Sequence, residues 1–284
     1  MQDIPPIKLV AIDIDGTLLT PQGEVTPRTL TAVRAAQEAG IVVTLATARR
    51  YLNTRQFAEA LGLAIPLITY DGALIIQHPQ GKILHTNPLQ AVIAQQAVET
   101  LVRHNVQPVV HHIVDAVEEI WTGPAELDTA WITDYFNTFP RVIRRLPYAT
   151  LCTGHEDPLR VVAFAPKEVI ASLVPEISSL QCAWNAIPQG NYGYAEMAIM
   201  HTHCSKASGV VALARQLDIP LAQVMAIGDN NNDIEMLKAV GWGVAMGQAS
   251  DVVRSSAQAV TSSNAEDGVA RAIEQYVLRS RSTL

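Results

Sequence analysis

Cysteine is scarce. The three residues Cys152, Cys182 and Cys204 cannot all pair with one another, and their spacing matches no zinc signature, so reduced thiols are expected. Long apolar runs are missing too. None reaches the roughly 18 residues of a membrane-spanning helix, and the opening stretch Met1–Pro6 lacks the charged and apolar regions of a secretion signal. The expectation is a soluble, cytoplasmic protein with no membrane partner. Charged residues make up only 17% of the chain, and positive charge is in deficit, with a formal net charge of −7. That balance argues against a nucleic-acid partner. What is abundant is apolar: 49% of 284 residues are hydrophobic, which excludes disorder and suffices for one large core or two ordinary ones.

The densest signal lies near the start. Five of the six residues from Leu9 to Ile14 are apolar, and the run ends in Asp13-Ile14-Asp15-Gly16-Thr17. An uninterrupted apolar run suits a central strand covered on both faces, and the carboxyl end of such a strand is where open α/β sheets bind ligands. Alternation sends Asp13 and Asp15 to one side, and Gly16 lets the chain turn away. Two crowded carboxylates call for a cation between them or a proton on one of them. Mg2+ suits a few carboxylates while keeping positions open for water and phosphate.

Downstream, Thr26-Pro27 reads as N-cap and first residue of a helix closed by Gly40, followed by a buried strand at 41–45. Strand, helix and strand make a βαβ unit and hence a parallel sheet. The second strand ends in Ala46-Thr47-Ala48-Arg49 before a helix at about 51–61, where a hydroxyl and free amides can hold a phosphate. A third strand at 66–69 reaches Tyr70-Asp71-Gly72-Ala73, and a hairpin follows about Pro79-Gln80-Gly81. From 87 to 189 helices at 88–103, 124–137 and 167–180 interleave with strand-like segments at 106–114, 118–121, 141–144, 160–165 and 182–187. This segment reads as a second α+β domain inserted into the first, with hinges near 87 and 190. The first pattern resumes from 194, with a strand at 195–200, a helix from Lys206, an apolar strand ending at Gly228-Asp229, a helix opened by Asn230-Asn231-Asn232-Asp233, and a terminal helix at 265–277. The core is thus expected at 1–86 and 190–284. Within the insertion His111, His112, Asp115, Trp121, Arg160 and Trp184 are candidates for a substrate pocket, although tryptophans are more often core.

Two strands far apart in sequence end in acids, and in a parallel sheet both ends can face one crevice. Phosphoryl transfer uses such a crevice, because positioning and charge neutralisation supply most of its acceleration. Asp13-Ile14-Asp15-Gly16-Thr17, Thr47 after a buried strand, Lys206 at a helix start and Gly228-Asp229-Asn230-Asn231-Asn232-Asp233 occur in the order of the four motifs of the haloacid dehalogenase superfamily. Ser205-Lys206-Ala207-Ser208-Gly209 and the stretch from Met236 through Gly247 further resemble its Cof-type phosphatases with a C2B-type cap. The resemblance implies a Rossmann-like parallel core with an inserted α+β cap, Mg2+ as cofactor and a small phosphorylated metabolite, such as a sugar phosphate, as substrate. It makes Asp13 the nucleophile and Asp15 the acid/base. Asp13, the main-chain carbonyl of Asp15, and Asp229 would hold the metal. Thr47, the amide of Ala48, Lys206 and Asn232 would hold the phosphoryl group, and Asp233 would orient Lys206 or a metal-bound water. A phosphomutase or a non-catalytic sensor of phosphorylated metabolites remains as an alternative.

The chain departs from the family pattern at Ala48, where glycine is common, and at Asp71, where asparagine is common. An added carboxylate weakens phosphate binding unless it faces away or pairs with a cation such as Arg49. Asp71 is therefore expected outside the active set.

Overall fold

A computed structural model describes residues 6–139, 143–187 and 194–278. The expected hinge near 190 and the first two residues of the strand expected at 141–144 lie outside them.

Strand β1 (Leu9–Ile12) has all four residues fully buried, as its unbroken apolar run requires. Helix α1 (Pro27–Glu38) is capped by Thr26, whose hydroxyl accepts from the Thr29 amide, with Pro27 in the first position. Strand β2 (Val42–Leu45), helix α2 (Tyr51–Ala60) and strands β3 (Pro66–Thr69), β4 (Leu74–Gln77) and β5 (Lys82–Thr86) follow. Strands β3, β4 and β5 form their own small sheet, which meets the end of β2 through a parallel bridge between Ala46 and Ile68.

The chain divides into two units, Met1–His85 with Ser205–Leu284, and Thr86–Cys204. The second unit contains helices α3 (Ala91–Arg103), α4 (Ala130–Asn137) and α5 (Lys167–Ser178) and strands β6 (Val109–Val114), β7 (Val117–Thr122), β8 (Ile143–Arg145), β9 (Arg160–Ala165), β10 (Cys182–Ile187) and β11 (Ala195–His201). Its sheet runs β10-β11-β9-β6-β7-β8 and is mostly antiparallel. One face packs Val110, Trp121, Val161 and Met197 with residues of α3 and α5. The other packs Val109, Ile120, Val162 and Ala198 with residues of α4. Strand β11 departs from the sequence reading, which returned to the first domain at 190. It pairs antiparallel with β9 and β10, so it belongs to the inserted unit.

Back in the first unit come helix α6 (Lys206–Gln216), strand β12 (Val224–Gly228), helix α7 (Ile234–Ala239), strand β13 (Trp242–Ala245), helix α8 (Asp251–Ser255), strand β14 (Ala259–Val260) and helix α9 (Gly268–Ile273). The core sheet is parallel in the order β14-β13-β12-β1-β2. In that sheet Ile12 is in register with Ile227 on one side and Leu45 on the other. The residues that follow these three, Asp13, Gly228 and Ala46, therefore stand at one level at the carboxyl ends of their strands. From β1 the chain goes to β2 on one side, and the later strands β12, β13 and β14 lie on the other, so the strand order switches at β1, which is the crevice that open α/β sheets offer to ligands.

Candidate active site

Asp13 follows β1 directly, its amide donating to the Ile227 carbonyl at 3.0 Å. The next five residues, Ile14–Leu18, form a tight turn in which Gly16 has φ +80°. From the other chain segment, helix α6 opens at a Ser205 capping box and so presents Lys206 at its first position. The Lys206 ammonium donates to Asp13 Oδ1 at 2.6 Å and to Asp233 Oδ1 at 2.7 Å, in surroundings where all three side chains are buried. Burial works against that charge, but Asp13, Asp233 and Asp71 outweigh it and hold the ammonium above the usual lysine range.

Asp233 uses both of its oxygens locally. Oδ2 accepts from the amides of Asp229 and Asn230 at 3.0 Å each, locking the loop after β12. Asp229 is held by the Thr17 hydroxyl, which donates to its Oδ1 at 3.0 Å. Carboxylate oxygens of Asp13, Asp229 and Asp233 come within 4.8 Å of one another. Burial first, then the neighbouring Asp233, pushes Asp229 up to about 6. Burial likewise lifts Asp13 well above the carboxylate range, Lys206 opposing it and Asp233 and Asp229 adding to it. This is a concentration of negative charge that one ammonium does not balance, and hard oxygen donors at this spacing suit a divalent cation. Space is kept beside them: a Cβ at Gly16 would stand 2.3 Å from Asp229 Oδ2. The residues thus fit a divalent metal. With Asp233 engaged elsewhere, Asp13 and Asp229 are the carboxylates with an oxygen to offer.

Asp15 turns away from this cluster. Its carboxylate receives both Nε and Nη2 of Arg49, at 2.7 and 2.5 Å, and the guanidinium also lies 5.2 Å from the centre of the Phe57 ring. Thr47 and Ala48 sit in the bend after β2, with the Thr47 hydroxyl accepting from the Arg49 amide at 3.1 Å and the Thr47 carbonyl from the Asp71 amide at 2.9 Å. Asn232 lies in the turn before α7 and donates through Nδ2 to Asp71 Oδ1 at 3.1 Å.

Asp13, Lys206, Asp229 and Asp233 therefore converge, and Asn232 and Thr47 join them through Asp71. On sequence alone Asp71 is expected outside the active set, its charge tolerable if it faces away or pairs with a cation such as Arg49. The structure buries Asp71 against Asn232 and within the field of Lys206, and Arg49 grips Asp15. Thr17 and Arg49 were not assigned firm roles. Thr17 is legible only in retrospect, as the hydroxyl that follows the Gly16 turn, because its partner lies 212 positions away. In the inserted unit, register separates the two histidines. His112 lies opposite Glu119 and stacks on Trp121, which is packed in the core, whereas His111 accepts or donates to the Tyr135 hydroxyl at 3.0 Å on the other face.

The family of haloacid dehalogenase-like hydrolases matches residues 10–273. A 5-amino-6-(5-phospho-D-ribitylamino)uracil phosphatase of Bacillus subtilis is 30% identical, the match covering 96% of each chain. A pyridoxal phosphate phosphatase of Escherichia coli is 27% identical over 95% of this chain and 99% of its own. Among solved structures, a haloacid dehalogenase-like hydrolase from B. subtilis superposes with a TM-score of 0.77 at 26% identity, covering 95% of this chain and all of the other. The match over nearly the whole chain, inserted unit included, means that this protein belongs to the haloacid dehalogenase-like hydrolases and, within them, to the Cof-type phosphatases that hydrolyse phosphate monoesters.

Proposed function

We propose that the protein is a Mg2+-dependent phosphatase of small phosphorylated metabolites that works through an aspartyl-phosphate on Asp13. The observation that carries this reading is the Lys206 ammonium shared by Asp13 and Asp233 beside Asp229, at the ends of neighbouring parallel strands. One Asp13 carboxylate oxygen attacks phosphorus in line with the leaving oxygen, while the other, held by Lys206, would be the one shared with the metal. Asp15 gives a proton to that oxygen as the ester bond breaks. It then takes a proton from the water that attacks the aspartyl-phosphate, releasing inorganic phosphate and restoring Asp13. Lys206, Asn232, the Thr47 hydroxyl and the Ala48 amide hold the phosphoryl oxygens. Asp233 keeps Lys206 in place and ties down the amides of Asp229 and Asn230. Asp13, Asp229 and the Asp15 carbonyl would hold Mg2+, which when bound neutralises charge on the phosphoryl oxygens.

The two relatives named above act, by their names, on a phosphorylated ribitylaminouracil and on pyridoxal phosphate. Both compounds join a phosphate ester to a nitrogen heterocycle, so the substrate panel holds such esters beside sugar phosphates. The test is release of inorganic phosphate from this panel, with and without Mg2+, by the wild type and Asp13→Asn. Metal-dependent release that the substitution abolishes supports the proposal. An isomeric sugar phosphate in place of free phosphate would establish a mutase, and binding without turnover a sensor.

A further inference from the structure

The turn between β3 and β4 has an unusual backbone. Tyr70, Asp71 and Gly72 are successive residues with φ of 54°, 50° and 91°. For a tyrosine and an aspartate this region is sparsely populated, and surrounding contacts must hold it. Two such contacts come from the chain segments expected to bind phosphate. On one side the Asp71 amide donates to the Thr47 carbonyl at 2.9 Å. On the other, Gly72 presses on the start of α6, where a Cβ would stand 2.2 Å from the Ser205 carbonyl oxygen. The turn thus joins the loop after β2 to the helix that opens with Lys206, and it delivers the Asp71 side chain, only 2% exposed, to Asn232.

An ionised carboxylate accepts hydrogen bonds and donates none, whereas a side-chain amide has a donor end and an acceptor end. When Asp71 Oδ1 accepts from Asn232 Nδ2, the amide is fixed nitrogen-inward, and the second N–H of that nitrogen has one settled direction. We infer that Asp71 is a positioning residue, acting through Asn232 to keep an N–H of its amide aimed at a phosphoryl oxygen. The inference rests on the reading of Asn232 as a phosphoryl-holding residue. It has an electrostatic cost, because Asp71 also lies within the field of Lys206, and a negative charge there opposes an anion. Positioning and bare charge therefore predict opposite signs when the charge is removed.

The experiment is calorimetric titration of inorganic phosphate into the full-length protein in saturating Mg2+, for wild type, Asp71→Asn, Asn232→Ala and the double variant. Asp71→Asn keeps the shape but lets either amide turn over. The expected result is phosphate binding weakened about fivefold, the scale of one hydrogen bond. In the Asn232→Ala background the same substitution is expected to weaken binding no further, since its route is gone. Asp71→Ser, which also cannot fix the amide, gives the same comparison if the Asn variant does not fold. Unchanged or tighter binding in the single variant overturns the inference, as does an additive loss in the double variant. No phosphate binding by the wild type overturns both this inference and the proposed function. Phosphate binding without hydrolysis of any ester removes the hydrolytic reading alone, and the variant series still decides the role of Asp71.

Discussion

A buried ammonium between two buried carboxylates is a pairing whose removal costs more than its formation gains. Deleting Lys206 leaves Asp13 and Asp233 facing each other without a cation. Lys206→Ala is expected to lower stability by about 3–5 kcal/mol, read from the urea midpoint, and to abolish turnover. Unchanged stability would mean that the ammonium is not the charge that holds the acids together. Arg49 acts on a different atom. Its two-point grip holds Asp15 where a lysine would hold it by one. Arg49→Lys is therefore expected to reduce hydrolysis of alkyl phosphates, whose leaving oxygen needs a proton, about tenfold more than hydrolysis of p-nitrophenyl phosphate. Equal losses on both would separate Arg49 from the proton-transfer step.

Strand ends and turns set the geometry in which those residues work. β1, β2 and β12 were legible because each is an apolar run that ends in a turn, and the βαβ unit makes β1 and β2 parallel, whereas the place of β12 beside β1 depends on pairing across more than two hundred residues. The sequence places β11 with the first domain, and the structure moves it to the inserted sheet for a physical reason. Met197 and Ile199 enter one core cluster and Ala198 the other, so it is buried on both faces like a core strand, and the apolar pattern alone does not tell which sheet buries it. The turn at Tyr70–Gly72 was equally hidden, because its conformation depends on contacts with Thr47 and Ser205 rather than on its own residues. At the Gly16 turn the sequence did reveal the need for glycine, and the structure adds a second demand, the space beside Asp229. Gly16→Ala is expected to keep the fold but raise the Mg2+ concentration for half-maximal activity about tenfold, as displaced metal-holding groups do. A Mg2+ titration with an unchanged midpoint would contradict the placement of the metal between Asp13 and Asp229.

At the scale of the whole chain, four short segments spread from residue 13 to residue 233 carried the site, and their order along the sequence made it readable before any contact was known. Ligand-determining detail in the inserted unit was not readable, because its candidates split between two faces of one sheet and Trp121 proved to be core. That unit carries its own pH dependence. Burial, with His155 and Arg144 nearby, lowers His112 to about 4. An unfolded histidine binds a proton near its ordinary value while the folded one does not, so stability present at neutral pH is lost as pH falls from about 6.5 toward 4, by up to about 3 kcal/mol. Three of the four tryptophans, Trp121, Trp131 and Trp184, lie in this unit and Trp242 in the other, so tryptophan fluorescence during urea unfolding of a Trp242→Phe background reports on it. The midpoint is expected to fall between pH 7.5 and 5 in that background and to fall much less when His112→Phe is added. Equal slopes would remove His112 as the cause. The central claim, that Asp13 is the nucleophile, is tested most directly by rapid acid quench of the enzyme during turnover, followed by mass-spectrometric mapping of the phosphorylated peptide. One acid-stable, base-labile phosphoryl group is expected on Asp13, absent from Asp13→Asn; a phosphoryl group on another residue, or turnover that survives the substitution, would contradict that role.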